Sequence, residues 1–282
     1  MKANLVELWD AYSDILWEPS DHKNTCKGYA YELQSIIESH RIKKFDAKLI
    51  DKITGSLRAK GNKNSTVNRK LACLSKLLRK HQRNGEIDRI PEIRKLPERN
   101  GRIRFLDPAE ETALVTNLDA INEGYSLLAE FLVDTGARVG EALQLRWCDV
   151  ADGHATFWET KSNTPRTVPL TERALSVIEQ RRGEVPIGPF SDIRYANFRN
   201  AWLKARKRAG LGGDPQIVPH ILRHTCASRL AQNGVDIKRI QEFLGHKSLT
   251  MTLRYAHLAP RHLEVCAEAL NKLAKTRNYR VQ

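Results

Sequence analysis

The stretch that most constrains this chain runs from His220 to Tyr255 and reads HILRHTCASRLAQNGVDIKRIQEFLGHKSLTMTLRY. It is a set of short helices broken at definite places. His220, Arg223 and His224 stand three and four apart, so on a helix they share one face. Ala227 and Leu230 continue that helix, and Gly234 is placed to cap its C-terminus. Asp236 can cap a second helix with the apolar stripe Ile237, Ile240, Phe243 and Leu244, which Gly245 stops. His246 follows, and Ser248 can start a last short helix that carries Tyr255. Apolar residues fill the interior while polar donors gather at helix ends. Two imidazoles, one guanidinium and one phenol on a rigid helical frame point to a site for a phosphate and a nucleophile.

The whole chain sets the bounds on that reading. Its 282 residues allow one large or two ordinary domains, and 41% apolar composition is enough for real cores. A net charge of +14 points to a polyanionic partner, with a merely solvated basic surface as the plainer alternative. The five cysteines (26, 73, 148, 226, 266) are scattered without a CxxC pair. That pattern fits free thiols in a reducing cytoplasm better than disulfides or a zinc site. No apolar run approaches a membrane span, and the N-terminus lacks a signal-peptide core. A cytoplasmic or nucleoid location with no membrane partner is therefore expected.

The first hundred residues read as a separate helical unit. Leu5, Leu8, Trp9 and Tyr12 open with helical spacing, and Cys26, Tyr29, Tyr31, Leu33, Ile36 and Ile37 form a second pattern. From Lys52 to Gly85 there are ten Lys or Arg residues and no acid. Within it, Ser65 or Thr66 can cap a helix whose apolar face is Val67, Leu71, Leu74, Leu77 and Leu78. Arg69, Lys76, Arg79, Lys80 and Arg83 fall opposite that face and are the candidate DNA contacts. A one-sided basic helix suits a phosphate backbone. An exposed solubilising face is the alternative, but such a face normally carries Glu for i,i+4 ion pairs, and this one has none.

Between Ile93 and Leu106 the composition shifts. RKLPERNGRIRF has Pro97, Gly101 and five basic residues but no helical stripe, so it reads as a linker able to lie along a nucleic acid. Asp107-Pro108 then opens a helix, with Glu110 and Glu111 in its first turn. Residues 1–96, 97–105 and 106–282 are thus expected to be helical domain, basic linker and second domain. In the second domain, Tyr125–Thr135 is strongly apolar and Gly136 ends it. Arg138 heads the next helix with Glu141 three residues on; an Arg just after a glycine break, next to an apolar helix pair, is oddly placed for mere solubility, and a surface Arg138–Glu141 pair is the plainer alternative. Ala155–Thr160 and Thr167–Leu170 read as strands flanking a polar turn from Lys161 to Arg166.

The combination carries more than its parts. Arg138 in TGARVGEAL, Lys161 in TKSNTPRTVPL, His220 and Arg223 in HILRH, His246 in LGH and Tyr255 in TLRYAH occur in this order. Together, from about Leu106 to the end, they resemble the tyrosine recombinase, or phage integrase, family. The N-terminal unit resembles that family's core-binding domain by charge and helix content. The resemblance implies a mainly α fold of two domains: an all-α, SAM-like N-terminal domain, and an α-rich catalytic domain with a small antiparallel β-sheet.

It also implies a chemistry. A tyrosine attacks a DNA phosphodiester, giving a 3′-phosphotyrosine and a free 5′-hydroxyl. Bond energy is conserved, so neither ATP nor a metal or other cofactor is expected, and the chain has no GxxxxGK[ST] loop. Arg138 and Arg223 take the role of clamping non-bridging oxygens. Lys161 becomes the general acid for the leaving 5′-oxygen, and Tyr255 the nucleophile. His220 is the candidate to assist deprotonation of Tyr255 and His246 to donate to the phosphate, although the sequence leaves the two assignments open. His224 reads as a structural, hydrogen-bonded residue. The expected partners are a double-stranded attachment site, three further copies in a tetramer that exchanges strands through a Holliday junction, and accessory directionality or bending proteins.

Other readings fit less well. His220-x-x-x-His224 has metalloprotease spacing, but Ile221 stands where HExxH needs Glu. A non-catalytic DNA-binding protein would not need all six residues. A type IB topoisomerase shares the chemistry but works alone. The segment HLEVCAEALNKLA after the nucleophile has the stripe Leu263, Ala267, Leu270 and Leu273, which suits docking on a neighbouring protomer or, failing that, on its own domain. TKSNTPRTVPL favours a mobile-element integrase over a chromosome-dimer resolvase. Because helical patterning starts at Leu5, a long arm-binding domain of the kind found in some phage integrases is not expected within these residues, and a longer natural chain remains the alternative.

Overall fold

The computed structural model describes residues 4–42, 44–98, 103–158, 165–260 and 270–272. The chain divides into two compact units, residues 1–101 and 102–282.

The first unit is built from four helices, α1 (Leu5–Leu16), α2 (Asp21–Ser39), α3 (Ala47–Ala59) and α4 (Asn64–Arg83). Side-chain caps define three of the starts. Asn4, Ser20 and Asp46 each accept from backbone N–H groups of the first turn, satisfying donors that a helix start leaves orphaned. The fourth start differs from the expectation. Lys63 occupies the cap position without a side-chain bond, so Ser65 and Thr66 fall inside the first turn. Leu71, Leu74, Leu77 and Leu78 of α4 are buried with Leu33 and Ile37 of α2 and Leu49, Ile53 and Leu57 of α3. Each such side chain contributes about 1.5–3 kcal/mol when fully buried. The expected linker begins as part of this unit. Ile93 and Leu96 pack against its core, Asn68 exchanges hydrogen bonds with the Leu96 backbone, and Asn64 donates to the Pro97 carbonyl.

The second unit is organised around α6 (Glu123–Thr135), which packs against α5 (Pro108–Asp119), α8 (Glu172–Arg181) and α10 (Ile221–Gln232). The start of α5 is as expected: Asp107 and Glu110 form a reciprocal capping box, with Pro108 in the first turn. α7 (Val139–Leu143) is one short turn, and α9 (Tyr195–Arg208) packs on α5. Phe131, Phe190, Phe198 and Trp202 fill the core, and the Trp202 indole N–H donates to the Ile217 carbonyl at 3.0 Å.

A three-stranded antiparallel sheet lies in order β1 (Val150–Ala151), β2 (His154–Phe157), β3 (Arg166–Pro169). β2 ends at Phe157, so Trp158 lies outside it, residues 159 and 160 of the expected strand lie outside the described residues, and Arg166 belongs to β3 rather than to the turn. Phe157 pairs with Arg166, and burial alternates along β3, so Arg166 and Val168 point inward. Lys161 lies outside the described residues. After α10 come α11 (Ile237–Leu244) and α12 (Leu249–Leu253), capped by Asp236 and begun at Ser248 as the sequence implies. Tyr255 is not on α12. It stands two residues past its end, at the head of a 3-10 turn, Ala256–Leu258. The tail stripe lies outside the described residues except for Leu270, which is helical and exposed. No helix among the described residues is long and apolar enough to cross a membrane.

Candidate active site

Arg223 is the hub of the site. Only 2% of it is exposed. Its Nη1 donates to the Gly136 carbonyl and its Nη2 to the Leu244 carbonyl, each at 2.6 Å. Both acceptors lie at helix C-termini, where carbonyls are orphaned and the helix dipole is negative. One guanidinium therefore ties the end of α6 to the end of α11. Two glycines make the geometry possible. Gly136 and Gly245 have φ of 59° and 64°, the left-handed region. A Cβ on Gly136 would lie 2.4 Å from Leu244 Cδ2, and one on Gly245 would lie 2.8 Å from Arg166 Cδ. Burial, with Arg138 and Arg166 adding repulsion, pushes the Arg223 guanidinium down to about 9, so it remains a cation at neutral pH. A guanidinium carries five N–H donors, and two here are used on carbonyls.

Arg138 caps α7 and belongs to a second network. Its Nη1 meets Glu141 Oε1 at 2.5 Å, and its backbone N–H donates to Glu141 Oε2 at 2.9 Å. The same Oε2 accepts from Arg166 Nη2 at 2.7 Å. The alternative of a surface Arg138–Glu141 pair does not hold: the bridge is drawn inward, with the Glu141 side chain only 4% exposed. Burial alone would raise the Glu141 carboxyl; the hydrogen bond and charge of Arg166, then Arg138, hold it below the usual range. Arg166 also donates from Nε to the Phe243 carbonyl at 3.2 Å and lies over the Phe157 ring, while its Nη1 is buried with no hydrogen-bond partner. Three guanidinium groups therefore face one carboxylate, an excess of two positive charges in a desolvated pocket.

The histidines sort differently from the expectation. His246 follows Gly245, and its Nδ1 lies 2.9 Å from the fully buried Thr252 hydroxyl, which fixes the ring. Burial, followed by Arg223 and Arg138, holds the His246 ring down to about 3, so it is neutral. His220, at the head of α10, is exposed and packs edge-on against His224 with ring centroids 4.9 Å apart. His224 is the ring that meets Tyr255: Nδ1 lies 2.6 Å from the phenol oxygen. Tyr255 itself is 1% exposed, packed with Cys226, Ala227, Ile240 and Leu244. Burial raises its hydroxyl above the usual phenol range against the opposing pull of Arg254 and Arg223, so at rest it is protonated.

Among the six expected site residues, Arg138, Arg223, His220, His246 and Tyr255 thus gather around the ends of α6, α10 and α11. Glu141, Arg166, His224 and Thr252 complete the cluster. A helix wheel can flag His224, which stands four residues from His220 on one face. Nothing local marks Arg166, because its partner is 25 residues away. Among the described residues no group of acidic, His or Cys side chains is arranged to hold a metal.

In the first unit, Arg69, Lys76, Arg79 and Arg83 are exposed and Lys80 is half-buried. Lys76 is partly occupied: its ammonium sits 4.3 Å from the Trp17 ring centroid and donates to the Leu16 carbonyl. Lys76, Arg79, Lys80, Arg83, Arg94 and Lys95 line one groove, so the chain after α4 adds two cations to the expected face.

Comparison with known proteins bears on the family and the fold. The profile described as the phage integrase family matches residues 104–262. The integrase of Haemophilus phage HP1 is 35% identical over 209 residues, covering 72% of this chain and 58% of that protein. The integrase of Escherichia phage P2 is 30% identical over 268 residues, covering 93% of this chain and 76% of that one. Among solved structures, a lambda integrase tetramer bound to a Holliday junction superposes with a TM-score of 0.75 at 22% identity, covering 90% of this chain and 77% of that chain. The chain belongs to the phage integrase family. It shares the two-domain, mainly helical fold of that structure, and it spans between about three-fifths and three-quarters of the two phage relatives' lengths.

Proposed function

We propose that this chain is a site-specific DNA recombinase that cuts and rejoins strands through a 3′-phosphotyrosine at Tyr255. The observation that carries the reading is the pocket with two excess positive charges beside a buried phenol. A phosphodiester brings one negative charge, and its transition state concentrates more on the non-bridging oxygens. Arg223, already desolvated and fixed by two carbonyls, and Arg138, fixed by Glu141, neutralise that charge without reorganising. His246, oriented by Thr252, adds a neutral donor. As the Tyr255 oxygen bonds to phosphorus, the bond to the 5′-oxygen breaks, and Lys161 protonates that oxygen as it leaves. Attack by the 5′-hydroxyl of a second strand reverses the step and completes exchange. Tyr255 must leave its buried position to reach a phosphate.

Similarity to the integrases of phages HP1 and P2 supports integration or excision of a mobile element over resolution of chromosome dimers. The partners under this reading are duplex attachment-site DNA and further copies of this chain, up to a tetramer, in the bacterial cytoplasm. The basic groove of the first unit supplies sequence-independent grip on the backbone. The direct test is Tyr255→Phe on a nicked suicide duplex followed by a denaturing gel. The variant should retain DNA binding and form no covalent adduct. Adduct from the Phe variant moves the nucleophile elsewhere.

A further inference from the structure

A second basic cavity adjoins the clamp. It lies where β3 packs against α11, has a volume of about 630 Å³, and includes Arg166, Arg239, Glu242, Gly245, His246 and Lys247 in its lining. Its floor is charged. Arg166 is 8% exposed, and its Nη1 is buried with no hydrogen-bond partner. Gly245 leaves room for that guanidinium: a Cβ there would stand 2.8 Å from Arg166 Cδ and 3.2 Å from Nη1. The rim is charged too. Arg239 and Lys247 are exposed, and among the described residues neither is joined to a carboxylate. Glu242, an acid in the lining, is met by Lys238 at 3.5 Å.

These charges exceed what one phosphate can answer. Arg138, Arg166 and Arg223 against Glu141 leave two positive charges, and Arg239 and Lys247 raise the excess to four. The scissile phosphodiester supplies one negative charge. A buried guanidinium N–H without an acceptor is disfavoured unless something that binds answers its charge. We propose that this cavity is a second phosphate subsite, which takes a phosphodiester neighbouring the scissile one on the cleaved strand. The inference rests on the reading of this chain as a DNA-cleaving recombinase.

The surroundings select DNA backbone as the ligand. His246 lines the cavity while its ring stands in the field of Arg223 and Arg138, so cavity and clamp share a wall. One strand of DNA carries a phosphate about every 3.4 Å of helix axis, so a strand with one phosphate on the clamp places another close by. The cations divide the work. Arg166 supplies a fixed positive field from the floor. Arg239 offers a planar fork for two non-bridging oxygens, and Lys247 a point charge. Arg239 stands on α11, whose end holds Arg223 through the Leu244 carbonyl. A phosphate held at the rim therefore fixes the strand relative to the same helix that fixes the clamp. Arg239 and Lys247 are positioning residues in this account: they set which phosphate of the strand meets Arg223.

The test uses the full chain and duplexes selected from random sequence by binding to it. Each phosphate in turn is replaced by an uncharged methylphosphonate. Affinity is measured for the parent chain and for a variant combining Arg239→Gln and Lys247→Gln. Lys238→Gln, on the same helix but outside the cavity lining, is the control. Loss of the rim cations should weaken binding of the unmodified duplex about tenfold and lower the slope of log K against log salt by about 0.9. One methylphosphonate position should cost the parent chain a similar factor, and mapping of the covalent adduct should place it next to the cleaved bond. In the double variant that position should cost less than about twofold, because the contact is already gone. Lys238→Gln should leave the loss at that position unchanged. Additive losses at every position overturn the proposal. Coupling that falls away from the cleaved bond, or that Lys238→Gln reproduces, overturns it equally. Failure of the recombinase reading is distinguishable: it appears as a parent chain that forms no adduct on any selected duplex, whereas failure of the subsite appears in the affinities of a chain that does.

Discussion

The two units each carry a cluster of cations, and they treat charge in opposite ways. On α4 the guanidinium groups of Arg69, Arg79 and Arg83 stand in solvent with no carboxylate beside them on that helix. In the second unit Arg138, Arg166 and Arg223 are drawn inward and each has named acceptors: Glu141, the Phe243 carbonyl, and the carbonyls of Gly136 and Leu244. Solvated cations release counterions when a polyanion arrives, which gives affinity that salt can remove. Desolvated, prepositioned cations need no reorganisation and act on charge that develops during reaction. Under the proposed function, one cluster holds DNA and the other acts on it.

The largest effect should come from Arg223→Lys. An ammonium cannot span two carbonyls and a phosphate as a planar fork does. Single-turnover cleavage at saturating DNA should fall by about a hundredfold or more, with affinity nearly unchanged, as titration of the suicide duplex would show. A rate near that of the parent chain would make Arg223 structural.

Arg166→Met comes next and acts on stability. Removing one partner of a buried ion pair leaves Glu141 less compensated, at a cost of about 3–5 kcal/mol. Urea unfolding of the second unit should report it, and Arg138, now held by a carboxylate free to shift, should support cleavage less well. An unchanged midpoint would show that the bridge is not energetically coupled.

Arg69, Arg79 and Arg83 to Gln should lower the slope of log K against log salt by about 0.9 for each phosphate that is no longer neutralised. Lys76→Gln should do less, because Trp17 and the Leu16 carbonyl already engage that ammonium. Equal effects at all four positions would mean that the Lys76 ammonium leaves Trp17 when DNA binds.

The smallest effect concerns pH. His224 and His246 are held down to about 4 and about 3, against an unfolded value near 6.5. Below about 6.5 the unfolded chain therefore binds more protons than the folded one, so stability falls as pH drops through that window. His246→Asn should flatten the fall in midpoint between about pH 6.5 and 4. A slope identical to that of the parent chain would remove His246 from the account.

Much of the fold is legible where the signal is local. The Asp107-Pro108-Glu110 box, the Asp236 cap, and the stops at Gly136 and Gly245 each act within one turn, and each stands where the spacing implies. α3 is harder to read although Leu49, Ile50, Ile53 and Leu57 form a stripe, because the run of cations around it masks the pattern. α8 has a comparable signal in its Thr171 cap, which accepts from the Ala174 N–H, whereas α9 starts at Arg194 without a side-chain cap bond. In the site, the six motif residues are visible from their order. The roles of Arg166 and His224 are not, since a side chain's burial and partner are set by tertiary contact: Arg166 meets Glu141 across 25 positions, and His224 meets Tyr255 across 31. The Lys76–Trp17 contact is hidden for the same reason.

The contrast between the two clusters can be tested in one paired measurement. Affinity and single-turnover adduct rate at saturating DNA are determined on the same suicide duplex for Arg223→Lys and for the triple variant at Arg69, Arg79 and Arg83. The account predicts a crossed result. Arg223→Lys should lose about a hundredfold or more in rate and little in affinity. The triple variant should lose affinity and about 2.7 in salt slope if all three groups contact phosphates, with a rate at saturation within about threefold of the parent chain. If both variants lose rate and affinity in the same proportion, the two units do not divide binding from chemistry and the account is wrong.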